Sequence, residues 1–392
     1  MHLKKSQYLF FKCGKEKMNF LEIVQDIRCD KNLDIDERNK NRYQITVNEK
    51  DQSKTAYCFS IPIYEKNSKN LINSKFSTDG NTVYLKGTNS IIELSSKAIF
   101  KSNDSVCEVS LPDKATLLSE DEALCGSSKI IPTTNGIAVI CPCRFGESIH
   151  VKLIAPTPFM PIRTNVKYFS LMCAKFKPLI TLSCLGATND GMSITYPCEL
   201  SFRQISEIEF SIFLKQMDEN ASYIMYEINM HEEKLIQDTT VESLHPTENN
   251  SFGSTGFIGQ TNLFGEQWLY TRPETPLLHE LNGMHINKAV MYIPSLNGNK
   301  ISLSAYEISR RFCSFGSNWI NKIDEINKVS SSNESKKYHS IDITNLLSDK
   351  ASGALFRTVG FLIKPTHKSD SFAAIATADS YLFPQILEIN YM

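Results

Sequence analysis

Trp268, Tyr270 and Arg272 carry the most usable surface chemistry in the chain. They alternate along one short segment, so an extended backbone points all three to the same face. An indole and a phenol offer flat apolar rings on which pyranose C–H groups stack. A neighbouring guanidinium donates hydrogen bonds to sugar hydroxyls. The three are therefore candidate residues of a glycan-binding platform. The competing assignment packs Trp268 between two sheets, and Trp319, after the turn Gly316-Ser317-Asn318, is assigned to the core.

Other reactive residues form no catalytic pattern. Gly253-Ser254-Thr255-Gly256-Phe257-Ile258-Gly259 matches neither the dinucleotide fingerprint nor the phosphate loop, so it reads as a flexible turn. Cys141-Pro142-Cys143 has one residue between its thiols where structural zinc sites use two or more. With Cys125 and His150 nearby but no second pair, core cysteines are expected. His231-Glu232-Glu233 lacks the second histidine four residues on that a zinc-protease helix requires. Asp34, Asp36 and Glu37 resemble the start of a calcium loop without its glycine and closing glutamate. A structural calcium through Asp238, Asp370 or Asp379 stands as an open alternative; no other metal or cofactor is expected. No Gly-x-Ser-x-Gly elbow occurs, and the expectation is a protein that is not an enzyme.

With 392 residues, two domains are the natural division. Net charge is −1, with 41% hydrophobic and 22% charged residues, which argues against a nucleic-acid partner. No run of about 18 apolar residues predicts a membrane span. Tyr8-Leu9-Phe10-Phe11, flanked by Lys4, Lys5, Lys12, Lys15 and Lys17, is too short for the apolar region of a secretory signal. Eleven irregularly spaced cysteines, from Cys13 to Cys313, do not form a disulfide framework. Together these predict maturation in a reducing compartment, with the protein cytoplasmic or released by a route such as a virion or spore.

The elements that must position these residues are mostly strands. Met18, Leu21, Val24 and Ile27 recur at helical spacing within a polar lead-in, residues 1–40, predicting a short amphipathic helix laid against the first domain. A partner-docking peptide is the alternative. From residue 41 the period changes to two. Tyr43–Val47, Tyr57–Tyr64, Thr82–Leu85, Ile91–Leu94, Gly136–Cys141, Ile149–Ile154, Phe176–Ser183, Ser193–Tyr196, Glu207–Phe213 and Tyr223–Glu227 read as strands of a first domain, 41–230. Gly87-Thr88-Asn89 reads as a turn, Ala115–Leu124 as one or two helical turns, and Pro156, Pro158 and Pro161 exclude a central strand.

A second domain, 231–392, has strands near Thr239–Ser243, Gly256–Gly259, Trp268–Thr271, Lys288–Ile293, Ser302–Ile308, His339–Ile343, Thr358–Ile363, Phe372–Ala376 and Ile386–Tyr391. Asn327–Lys337, rich in Ser, Asn and Lys, reads as a surface loop. The predicted fold is all-β: two antiparallel, jelly-roll-like β-sandwiches with a short N-terminal helix.

Four stretches of the second domain carry a family resemblance. They are Gln237–Ser243, Ile286–Ile293, Ser304–Ile308 leading to Asn318-Trp319, and Ile341–Asn345 followed by Gly360–Ile363 and Pro384–Tyr391. In this order they resemble DNRLRE-type β-sandwich domains of bacterial and phage proteins, which are similar to jelly-roll carbohydrate-binding modules. The basic and acidic signature of that family is not matched, because Gln267–Glu274 stands where a simpler strand belongs. The resemblance implies a non-catalytic protein that binds a glycan or cell-wall polysaccharide. The alternatives are a structural or attachment component of a phage virion, spore or cell surface with an assembly partner, and a glycoside-active enzyme with an appended binding module.

Overall fold

The computed structural model describes residues 19–392 apart from 40, 69, 87–90, 103–104, 156–161, 173–177, 282, 298–300, 335–336, 352–358 and 369. Met18, the lysine-flanked N-terminal run, the turn at 87–89 and the three prolines at 156–161 lie outside the described residues. The chain forms four β-sheets, every described ladder between their strands being antiparallel. They pair into two β-sandwiches, as the alternation predicts.

The first sandwich has an outer sheet running from Lys75–Thr78 through Lys97–Ser102 and Ser148–Ile154 to Glu199–Gln204. Its inner sheet runs from Ile162–Thr164 through Pro178–Thr188, Tyr223–Met230 and Gly136–Pro142 to Ala115–Ser119. Phe100, Val109, Leu153 and Ile212 from one sheet meet Ile137, Val139, Leu182 and Ile228 from the other. In the second sandwich the inner sheet contains Leu303–Ile308, Phe361–Pro365, Gly265–Pro273, Thr255–Thr261 and Phe372–Ala376. It packs Leu269, Ile363 and Ile375 against Met291, Ile341 and Leu387 of the outer sheet.

Two strands move relative to the sequence reading. Tyr43–Val47 and Tyr57–Tyr64, expected to open the first domain, correspond to strands Gln44–Asn48 and Lys54–Phe59, which hydrogen-bond into the second sandwich, where Lys54–Phe59 lies beside Ile386–Tyr391. Their side chains explain the choice. Ala56 and Cys58 enter the second core, while Tyr57 and Phe59 face outward under the N-terminal helix. That helix, Phe20–Arg28, is capped by Asn19 and Glu22 and buries Phe20, Ile23 and Val24. It lies on the outer sheet of the second sandwich rather than on the first domain.

Two segments are corrected outright. Ala115–Leu124 is a hairpin, Ala115–Ser119 with Glu122–Cys125, because Ala115, Ala123 and Cys125 all feed one face of the inner sheet. The expected loop Asn327–Lys337 is strand over most of its described residues: Glu325–Ser331 is an edge strand and Asn333–Glu334 a short one. The edge position accounts for the polar composition of Glu325–Ser331, since its side chains are mostly exposed.

The two inner sheets pack face to face, so the molecule is a four-sheet stack. Ala138, Ile140, Leu185 and Met225 from one side meet Phe257, Phe264, Ala374, Ala376 and Phe383 from the other. Polar groups flank this apolar seam. Lys167 of the first sandwich pairs with Glu242 of the second, and Glu227 of the first accepts hydrogen bonds from Ser380 Oγ (2.9 Å) and Tyr381 N (3.2 Å) of the second.

His339, on an outer-sheet strand, is fully buried and neither ring nitrogen has a hydrogen-bond partner. Burial pushes it down to about 4 from an ordinary 6.5. The unfolded chain therefore takes a proton near pH 6.5 that the fold refuses until about pH 4, so this residue lowers stability as pH falls through that window. Relative to His339→Leu, wild-type protein is expected to lose on the order of 3 kcal/mol between these pH values. Urea unfolding across the range, compared between the two proteins, checks it; parallel curves would remove the assignment.

Candidate functional site

Strand Gly265–Pro273 sends Leu269 into the core of the second sandwich and Trp268, Tyr270 and Arg272 to the opposite face, as their parity predicts. Part of that face is covered by the first sandwich. The remainder is crossed by the segment 309–324, which places Phe312, Trp319 and Ile323 over it.

The three predicted platform residues meet different fates under this cover. Tyr270 is fully buried; its hydroxyl donates to the Ile323 carbonyl (2.8 Å) and accepts from the Ile323 N–H (3.1 Å). Burial pushes the phenol up to about 12. Arg272 donates to the Phe312 carbonyl (3.2 Å), lies 5.5 Å from the Phe312 ring and pairs with Glu274, which also holds Arg311 at 2.9 Å. Desolvation lowers its pKa, against the pull of Glu274. Tyr270 and Arg272 thus hold the covering segment down.

Trp268 remains half-buried and, contrary to its core assignment, lies outside the sandwich. Its Nε1 donates to Glu266 Oε1 (3.0 Å), and its ring lies 4.9 Å from that of Trp319, tilted by 51°. Trp319 is also half-buried rather than core. Reciprocal hydrogen bonds between Asn318 and Asn321 (2.8 and 3.1 Å) close the turn that presents it. Asn249 anchors the preceding loop through the carbonyls of Ser314 (2.5 Å) and Ser317 (2.7 Å).

Two lysines complete the surface. Lys322 Nζ lies 4.6 Å from the Trp319 ring centre and 5.8 Å from that of Trp268. Lys364 Nζ lies between Trp268 (5.3 Å) and Tyr306 (4.7 Å) and pairs with Glu325. Cation–ring attraction of about 0.5–1 kcal/mol apiece at exposed sites orders these side chains. The result is a band of three aromatic rings with interleaved ammonium and carboxylate groups. Tyr306, Lys322 and Lys364 were not singled out from the sequence. Lys364 comes from the strand next to that of Trp268 and Tyr306 from the one beyond it, and pairing between strands leaves no mark on spacing.

The remaining sequence candidates are structural. Asp238 and Asp379 are brought together, but Lys234 lies between them; Asp370 is exposed. Asp36 is held by Lys54 (2.7 Å) and Arg38 (3.1 Å). Cys125, Cys141 and Cys143 line the first core, whereas His150 stacks on Phe213 in the other sheet. Among the described residues, no group of three His, Cys, Asp or Glu side chains is arranged to hold a metal ion. Most of the glycine-rich segment is strand Thr255–Thr261. A Cβ on Gly256 would meet Thr240 Cγ2 at 2.7 Å, and one on Gly259, at φ +123°, Ser371 O at 2.3 Å.

Tyr270→Phe leaves both backbone groups of Ile323 without their partner and is expected to destabilise the fold by about 1–3 kcal/mol. Both tryptophans of the chain are on this surface, so native-state fluorescence reports on it directly. The variant should show red-shifted emission before unfolding as the segment 309–324 loosens; unchanged emission and stability would show that the hydroxyl does not hold it. Compared with models of protein families and with curated proteins, the chain has no significant match.

Proposed function

We propose that the protein is a non-catalytic recognition protein that binds glycan on the band formed by Trp268, Trp319 and Tyr306. The observation that carries this reading is the convergence of the only two tryptophans in the chain, from distant segments, on one partly exposed face. Flat rings supply stacking area, and Glu266, Glu325, Lys322 and Lys364 supply the donors and acceptors that sugar hydroxyls need. Tyr270 and Arg272 act beneath the surface by fixing the segment that carries Trp319. The resemblance of residues 231–392 to DNRLRE-type domains, read from the sequence alone, points the same way.

A second reading is an assembly or attachment component. It is favoured by Ile320 and Ile326, 69% and 57% exposed and next in sequence to Trp319 and Glu325, which a protein partner would cover. Binding of the full chain to an array of glycans and cell-wall polysaccharides tests the first reading. Saturable binding that Trp319→Ala weakens about tenfold or more, with the fold intact, is the expected result. A well-folded chain that binds nothing on the array would sink the glycan reading and turn the search to a protein partner.

A further inference from the structure

Besides the Lys167–Glu242 pair, the seam between the two sandwiches encloses a cluster of three carboxyl groups and one ammonium. Glu227, on strand Tyr223–Met230, is fully buried and receives Asn229 Nδ2 (2.7 Å) from its own strand, with Ser380 Oγ and Tyr381 N from the opposite sandwich. Asp238 accepts from the Ala378 N–H (2.7 Å) and Gln385 Nε2 (3.0 Å). Asp379 pairs with Lys234, which also reaches Asp238 (3.6 Å) and the Ser251 carbonyl (3.2 Å).

The remaining charged and titratable neighbours are engaged elsewhere. Glu232 is held by Arg42 (2.8 Å), Tyr43 donates to the Glu233 carbonyl (2.8 Å), and the Tyr381 hydroxyl accepts from the Glu232 N–H (2.6 Å). Tyr168 donates to the Asn249 carbonyl (3.1 Å), and His231 packs edge-on against Phe252.

Three ionised carboxylates against one ammonium would leave two uncompensated negative charges out of water, a state that burial strongly disfavours. Lys234 serves Asp238 and Asp379, so Glu227 is the member without a cation. At 2.9 Å, Ser380 Oγ can accept a hydrogen bond from a protonated Glu227 as readily as it donates to an ionised one. We propose that a proton held on Glu227 latches the two sandwiches together, and that its loss to solvent opens the seam. The geometry agrees with the electrostatics: burial pushes both Glu227 and Asp379 up to about 7. A carboxyl whose pKa is raised in the closed form favours that form at low pH and ceases to favour it as pH rises through 7. The latch therefore tightens on mild acidification.

Hydrogen exchange of the intact chain at about pH 6 and about pH 8.5, corrected for intrinsic rates, tests the latch. Protection of Tyr223–Met230 and of the segment 377–385 should fall about tenfold over that interval, while Ile91–Leu94, remote from the seam, should not change. Glu227→Gln presents an amide that can donate to Ser380 and accept from Asn229 and Tyr381, so it should abolish the pH dependence and stay protected at both values. The same fall in Glu227→Gln, which would implicate His231 or Asp379 instead, overturns the proposal, as does unchanged protection in the wild type. Should the variant not fold, the infrared carbonyl band of a buried neutral carboxyl decides. It must be present in wild-type protein at the lower pH and lost at the higher; its absence at both overturns the latch.

Discussion

The architecture depends on burying the two inner sheets on both faces. Gly136–Pro142, Tyr223–Met230 and Phe372–Ala376 have almost no solvent-facing position, because one set of their side chains fills a sandwich core and the other fills the seam. Such strands read as near-continuous apolar runs, a pattern more usual for parallel sheets covered by helices. Here antiparallel sheets cover one another. Close approach then restricts size at the seam. Ala138 stands there on one side, and Ala374 and Ala376 on the other. Polar groups placed in these layers look for partners inside the protein, so Lys167 and Lys234 pair with carboxylates and Glu227 is hydrogen-bonded by Asn229, Ser380 and Tyr381.

The aromatic band follows from the same constraint. The apolar contact with the first sandwich is centred on the Thr255–Thr261 and Phe372–Ala376 end of the second inner sheet. The other end, with Tyr270, Leu362 and Ile308, needs its own cover, and segment 309–324 provides it with Phe312 and Ile323. Trp268, Trp319 and Tyr306 stand at the rim of this cover, half wet and half dry. A rim suits indoles and phenols, which have large apolar bodies and one polar atom each. The lysines over the rings lay their apolar stems along the surface while keeping their charge near water.

Much of this was legible from residue order, and the failures have physical causes. Strands Phe372–Ala376 and Ile386–Tyr391 have the bounds predicted from the sequence, since mostly apolar runs there are bounded by polar or turn residues. Lys97–Ser102, Ser105–Ser110 and Glu199–Gln204 escaped because Lys, Ser, Glu and Gln dilute the signal on strands with a solvent face. Alternation tells which face a side chain takes but not which strand lies next to it. For that reason a strand is legible at Tyr57–Tyr64, overlapping the observed Lys54–Phe59, yet falls to the wrong sandwich. The common face of Trp268, Tyr270 and Arg272 was likewise legible, whereas the segment that buries two of them comes from some forty residues away. Glu227 lay inside a recognised strand, and only the three-dimensional packing shows that its face of the strand meets another protein layer.

The ion pairs of the seam are better understood as alignment than as adhesion. Removing charges from water costs much of what their attraction returns, so a buried pair adds little net stability over a well-packed apolar substitute. Apolar burial, by contrast, is strong but non-directional, and the patch around Ile140, Met225, Phe257 and Phe383 would tolerate sliding of one sandwich over the other. Lys167 does not tolerate it. Its ammonium must meet Glu242 while also donating to Gln267 Oε1 (3.2 Å) and lying 4.4 Å from the Phe264 ring centre. A second such condition holds around Glu227, where Ser380 and Tyr381 must align with a strand of the opposite sandwich. Two directional contacts at separate points of one apolar interface fix both translation and rotation. With the seam closed, the four sheets therefore have one registered arrangement, and the face that carries the aromatic band is held in a fixed relation to the rest of the molecule.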